Sequence, residues 1–596
     1  MSAPAATPRP PHLPRTGRSL AFGLLVGATL GAVEMGLRLL GEDDPSVLRR
    51  STELVGYAVS WYAPAGALLF LVGAALLRLA RVRLPAGRGR WRSARGVATL
   101  CVLSLAGSWL AAALRDSPGQ LSPAPVAPPR DAPNLLVICV DTLRADALGC
   151  YGAAPGATPA IDELARRGAL FENALASASW TFPSVASILT SVLPVRHGCV
   201  DFDRAIAADL ATLPGALADA GYECDGLVGN PLLEPPHGFA RGFHFYDAYG
   251  HDLEGELLLT RVFSKSLRVT KLLSYKGRRP ILAWQASFPF VTTRLTAYTL
   301  DEDLNERVFE HLDFSGDRPR FLYVQYVSPH TPYLEHPLRF LKTPLPLDAA
   351  HLDELRERYR GEVGYTDAML AELLARLEGT GFLERAYVVI TSDHGEEFLE
   401  HGGFEHGYGL HREVVRVPLV VAGPGIAPGT RISEPVQLLD VAPTLLDLAG
   451  VMAPKTFQGR SLRPLLESRQ GEASRTPAYA EISSRFLTPD EHDDERPRRA
   501  LLQTAVDTGR WKVVRRRSAA GALLREEIYD LERDPLELAP LASRAEAPGS
   551  LGPLLQGLET YEATPRAGAA TELSAEQIER MQGLGYVDGG KPSEEP

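Results

Sequence analysis

Two runs in this chain place a carboxylate where a buried strand would end. VDTLRAD sets Asp141 after the apolar run NLLVICV, and SDHGEEF sets Asp393 and His394 after AYVVITS. An adjacent Asp–His pair leaving a strand offers a carboxylate oxygen and an imidazole nitrogen to one divalent cation. A strand-terminal Asp is also a common turn former, so Asp141 carries meaning only in company. A third run, SWTFPSVASILTS, has Pro183 placed as the first residue of a helix, with Thr181 just ahead of the N-terminus. The free N–H groups and dipole there favour an oxygen nucleophile or a phosphoryl or sulfuryl group. Thr181 as a plain helix cap is the competing reading. EHGGFEHGYGLHREVVRVP brings His401, His406 and His411 close together, so four of the 14 His fall between 394 and 411. SPHTPY adds His330 just past a further strand, where a His serves structure or chemistry.

These residues need elements to bring them together. FLYVQYV (321–327), AYVVITSD (386–393) and VPLVVAGPG (417–425) read as buried strands like the one at Asn134. PAIDELARRG and the segment His351–Leu377 read as amphipathic helices. Alternating strands and helices predict a doubly wound α/β sheet with its ligand site at the carboxyl ends of the strands. QTAVDTGRWKVVRR and LLREEIYDLERDP read as antiparallel strands of a small added sheet. The expected order is a catalytic domain over 134–460, a C-terminal subdomain over 461–545 and a tail over 546–596.

The first 116 residues are different. Three apolar stretches, 19–40, 55–77 and 96–114, each approach the ~20 residues that cross a bilayer. Arg9, Arg15 and Arg18 precede the first, and seven Arg from Arg78 to Arg95 surround the loop between the second and third. The positive-inside rule then puts the N-terminus inside a bacterial cytoplasmic membrane and everything after Leu114 outside, on a Pro-rich linker over 117–133. Of the net charge of -11, residues 1–116 contribute +8 and the remainder -19, a poor balance for binding nucleic acid. Five Cys exclude a disulfide-stapled scaffold, although Cys150 and Cys199, with Cys224, would lie outside where a bridge could form. Residues 251–300 are an insertion-like basic and apolar segment that suits a lid, a membrane contact or a packed insertion.

Taken in this order and spacing, the clusters resemble the sulfatase family within the alkaline-phosphatase superfamily, from about Asn134 to Glu537. VDTLRADALGCYG with TPAIDELARRGALFENA is similar to the family's opening. LPVRHG, YRGEVGYTDAMLAELL, VVITSDHGEEF, EVVRVPLVVAGPG and TGRWKVV with EIYDLERDP follow in family order. The resemblance implies an alkaline-phosphatase-like sheet with a small C-terminal antiparallel subdomain. It also implies that Asp141, Thr181, Asp393 and His394 hold one divalent metal, manganese or zinc before magnesium or calcium. His406 falls about one residue from the family's active-site Lys. With His330 it is assigned to substrate oxygens or the leaving group, and His401 and His411 are weaker candidates for substrate contact. Ser328 stands where two-metal relatives carry an Asp, which favours a single metal, while His401 or His406 keeps a second one open.

The departure lies at the nucleophile. Sulfatases have Cys-x-Pro-Ser-Arg, or Ser first, and oxidise that residue to formylglycine. Here the frame reads Thr181-Phe182-Pro183-Ser184-Val185. Thr cannot become formylglycine, and Val185 replaces the Arg that reads sulfate. The chain therefore looks like Thr-nucleophile relatives that transfer or hydrolyse phosphoesters, several of them hung on membrane helices. The expected function is a membrane-anchored, metal-dependent hydrolase or transferase acting on phosphoesters, a lipid head group or an envelope polymer among the candidates, outside the membrane. The alternatives are a sulfate-ester hydrolase using Thr181 directly and an inactive binding ectodomain.

Overall fold

The computed structural model describes residues 132–248, 301–333, 347–467, 477–483 and 502–565, apart from positions 203, 231, 332, 519, 520 and 547. All of them belong to one compact unit, Pro118–Leu253 with Gly277–Pro596. The three expected spans, most of the linker and segment 251–300 lie outside the described residues. Among the described residues no helix is long and apolar enough to cross a membrane.

Eight strands form the main sheet, in the order β12 (Thr430–Ile432), β2 (Ala169–Phe171), β11 (Leu419–Ala422), β7 (Ala386–Ser392), β1 (Asn134–Val140), β6 (Arg320–Tyr326), β4 (Glu223–Val228) and β5 (Phe245–Asp247). The sheet is mixed rather than wholly parallel, because β11 runs against both β7 and β2. The central strand explains the continuous apolar run in the sequence. Leu135, Val137 and Cys139 enter one core, and Leu136, Ile138 and Val140 enter the other. A strand covered on both faces has no side to leave polar.

The first core receives α2 (Thr181–Thr190), α3 (Leu213–Asp219) and α6 (Val441–Leu448). The second receives α1 (Pro159–Arg167), α4 (Asp301–His311) and α5 (Leu352–Gly379). Buried Leu355, Tyr359, Val363, Leu370, Leu373 and Leu377 give α5 its core-facing stripe at intervals of three, four and seven. Helix α2 starts two residues earlier than the proline suggested. Its cap is Trp180, Thr181 is its first residue and Pro183 its third, where the missing N–H still costs no intrahelical bond.

The C-terminal strands form the expected antiparallel sheet, in the order β14 (Ala478–Ser483), β15 (Leu502–Asp507), β16 (Trp511–Arg517) and β17 (Leu523–Asp530). Within the stretch read as a tail, α7 (Gly552–Ala563) packs Leu554 and Leu558 on Val506, Val513 and Ile528 of this sheet. A short hairpin, β8 (Glu397–Phe398) with β9 (Phe404–Glu405), follows β7 and carries the His-rich loop. Cys139, Cys150, Cys199 and Cys224 are free thiols, so the disulfide considered for Cys150 and Cys199 is not formed.

Candidate active site

Strands β1 and β7 are parallel neighbours in register at Val140 and Ser392, so the residues that follow them, Asp141 and Asp393, emerge side by side. Asp141, Asp393 and His394 are all fully buried. From the neighbouring core, α2 aims its first side chain at the same point, and the Thr181 hydroxyl donates to His394 Nε2 at 3.2 Å. That nitrogen is 3.4 Å from Asp141 Oδ1 and 3.6 Å from Asp393 Oδ2. Its other nitrogen, Nδ1, lies 2.9 Å from the Gly395 carbonyl, which can only accept. The proton is therefore on Nδ1, and the Nε2 lone pair faces Thr181 and the carboxylates. Gly395 lets the chain leave β7 this way, because a Cβ there would sit 2.0 Å from the Glu413 carbonyl oxygen.

Asn230, Gln325 and the backbone orient the carboxylates, with Gln325 Nε2 donating to Asp393 Oδ2 at 3.4 Å. Asn230, just past the end of β4, donates from Nδ2 to Asp141 Oδ2 at 2.8 Å, while Asp141 Oδ1 is buried without a hydrogen-bond partner. The His394 N–H donates to Asp393 Oδ1 at 2.9 Å. Burial pushes the Asp141 carboxyl well above its usual range and Asp393 up to about 7, each worsened or relieved by its neighbours. Two desolvated carboxylates, one of them with an orphaned oxygen, and an imidazole lone pair form a donor set that fits one divalent cation. Their ligand atoms lie within 4.8 Å of one another. Backbone strain stands beside the set. Thr142 is β-branched yet has φ +56°, a conformation costing about 1–2 kcal/mol. Tyr359 holds it, donating to the Thr142 carbonyl at 2.8 Å while accepting from the Arg144 N–H at 2.9 Å.

His406 and His330 stand next to this group. The His406 ring is 4.4 Å from that of His394 and 5.0 Å from that of His330. Val185 is fully buried in the first core, so its position supplies no charge to the site.

His401 and His411 belong elsewhere, which corrects their assignment to substrate. The two rings stack at 3.7 Å and 4°. His401 spends Nδ1 on Glu413 Oε1 at 2.7 Å and Nε2 on the Glu537 carbonyl at 2.8 Å, and His411 Nε2 is 3.3 Å from the Tyr529 hydroxyl. With both nitrogens committed, His401 is a strut between the His-rich loop and the C-terminal subdomain. Parallel rings also aim their lone pairs side by side instead of at one point, so the pair with Glu413 is a poor cation site. Burial opposes the charge on His401, but Glu413 and Glu537 outweigh it and hold the group at about 9. A His raised from 6.5 to about 9 stabilises the fold fully below pH 6.5, and that contribution is lost as pH rises through 9. The melting temperature of the wild type should therefore fall between those values more steeply than that of His401→Gln.

A family model described as "Sulfatase" matches residues 133–451, more than half of the chain. The chain belongs to the sulfatase family. A second model, N-sulphoglucosamine sulphohydrolase, C-terminal, matches residues 399–556 of this sulfatase-family chain. The chain is similar to an N-acetylglucosamine-6-O-sulfatase of Bacteroides thetaiotaomicron, 25% identical over 72% of this chain and 86% of that protein. It is also similar to a choline-sulfatase of Rhizobium meliloti, 28% identical over 70% and 83%. Its fold matches that of a phosphonate monoester hydrolase of Agrobacterium radiobacter, with TM-score 0.54 and 21% identity, covering 74% of this chain and 98% of that one. These relatives are ester hydrolases, and sulfatase-family members use a divalent metal ion.

Asn230 is one site residue that sequence reading missed. Its orienting role makes a test available: Asn230→Ala frees Asp141 Oδ2, and calorimetric titration of metal should show affinity weakened about 10–100-fold.

Proposed function

We propose that this chain is a single-metal phosphoester hydrolase or transferase that uses Thr181 as its nucleophile. The observation that carries the reading is the Thr181 hydroxyl at the N-terminus of α2, 3.2 Å from His394 Nε2 and beside two buried carboxylates. Asp141, Thr181, Asp393 and His394 would hold the metal, with manganese or zinc favoured by the imidazole and magnesium or calcium as alternatives. When bound, it supplies Lewis-acid activation of the hydroxyl and of the transferred group.

The chain's own residues then divide the work. Thr181 Oγ1 bonds to phosphorus as the bond to the leaving oxygen breaks, and water or an acceptor alcohol later takes the group from Thr181. The α2 N-terminus favours the oxyanion, and His330 and His406 meet substrate oxygens or the leaving group. The three apolar stretches and their Arg-rich flanks support an anchor in a bacterial cytoplasmic membrane. The catalytic domain would then face outward, towards a lipid head group or an envelope polymer.

The names of the curated relatives favour a second reading, a sulfate-ester hydrolase working without formylglycine. The full chain should be assayed with 4-nitrophenyl phosphate, bis(4-nitrophenyl) phosphate and 4-nitrophenyl sulfate in manganese, zinc, magnesium and calcium. Cleavage of the phosphodiester is the expected result. Cleavage of the sulfate alone would replace the phosphoester reading with the second one. Silence on all three from metal-loaded protein would favour a transferase awaiting its lipid or an inactive ectodomain.

A further inference from the structure

Glu396 is fully buried, two residues past His394, and none of its hydrogen-bonding atoms is idle. Its Oε1 lies 2.9 Å from His406 Nδ1, and its Oε2 accepts from the Tyr333 hydroxyl at 2.8 Å. Its carbonyl accepts from the Arg144 guanidinium at 2.9 Å, and its N–H donates to the Glu413 carbonyl at 3.1 Å. Tyr333 is itself wedged in place. It is 1% exposed, has φ +47°, and packs edge-on against Tyr359 at 5.8 Å and against Phe398 at 5.6 Å. Tyr359 is the residue that braces Thr142 beside Asp141. One buried aromatic block thus supports both the cation site and the Glu396 carboxylate.

We propose that Glu396, steadied by Tyr333, is a positioning residue that commits His406 Nδ1 and so turns Nε2 towards the leaving group. The inference rests on the ester-transfer reading of the site. As the bond to the leaving oxygen breaks, His406 Nε2 passes its proton to that oxygen while Nδ1 takes up the proton it shares with the Glu396 carboxyl, so the imidazole stays neutral throughout. In the release step the attacking water gives a proton back to Nε2 and Nδ1 returns its own to Glu396, which restores the starting pair. A carboxylate that fixes which imidazole nitrogen faces the chemistry, without touching substrate, is a general device for an acid–base histidine.

The test uses the full metal-loaded chain, wild type against Glu396→Gln and, as a gentler variant, Tyr333→Phe. Turnover is measured on a series of aryl methyl phosphates running from 4-nitrophenyl to phenyl, with metal content checked in each protein. A nitrophenolate leaves without help, whereas the more basic phenolate needs the proton. Glu396→Gln should lower kcat on the phenyl ester about 10²–10⁴-fold, with a much smaller loss on the nitrophenyl ester and little change in KM. Tyr333→Phe should shift the same slope less. An equal loss along the whole series at unchanged metal content would overturn the proposal. Nitrogen NMR of the histidine rings keeps the test independent of the substrate reading. The His406 Nδ1 resonance should move in Glu396→Gln. If it stays put, Glu396 does not set that ring, even should no phosphoester prove to be a substrate.

Discussion

Thr181→Ala should lose at least about 10⁴-fold in kcat/KM on any ester the chain cleaves, because a missing nucleophile has no substitute. The fold should survive, with metal still held, more weakly, by Asp141, Asp393 and His394. The Thr181 side chain is hydrogen-bonded to His394 and Asp393, and it does not cap α2, since Trp180 holds that position without a side-chain bond. Removing one buried hydroxyl costs about 1 kcal/mol, against a stability of several times that for a domain. Thr181→Ser keeps the oxygen and should keep measurable turnover, which separates loss of the nucleophile from disturbance of the helix start. Steady-state kinetics with circular dichroism of the three proteins checks this. Alanine-variant turnover within tenfold of wild type would remove Thr181 from the chemistry.

The second large effect concerns the cation and has an unusual sign. Chelation, or Asp393→Asn, should abolish turnover and bring metal from one per chain to near zero, read by elemental analysis. The metal-free fold should then respond to pH in a defined direction. Burial holds the Asp393 carboxyl at about 7, above its ordinary value of 3.8. A carboxyl raised in the folded state contributes stability at low pH that is lost as pH climbs from 3.8 through 7. The metal-free wild type should therefore weaken as pH rises through that window, and added metal should restore it most at the alkaline end. Asp393→Asn removes a buried charge with nothing to neutralise it. Without metal at alkaline pH it should melt above the wild type, while gaining nothing when metal is added. Thermal melts at two pH values, with and without metal, read all of this.

The centre of the site was legible because parallel strands leave a strong trace. NLLVICVD and AYVVITSD are apolar over most of their length, since both faces are covered, and they stop at the carboxylates that the sheet then sets side by side. Asn230 left no such trace. It reaches Asp141 only because β4 lies two strands from β1, and strand order is a tertiary fact. The available signal was its place just past the carboxyl end of a strand. The His-rich window misled in the opposite way. Its four residues are close in sequence, but the hairpin turn sends His394 and His406 to the cation site and His401 and His411 to the C-terminal subdomain. Helix α7 was hidden for a simpler reason. Its apolar stripe is short, and what it packs on, the β15–β17 sheet, is not visible from its own residues.

The most direct test is to trap the group on the nucleophile. The full chain, loaded with metal and turning over bis(4-nitrophenyl) phosphate, is quenched in acid and its peptides are analysed by mass spectrometry. Expected is a phosphoryl adduct on Thr181 that appears with turnover and is absent from Thr181→Ala. An adduct on another residue, or turnover that persists in Thr181→Ala, would contradict the assignment of Thr181 as nucleophile.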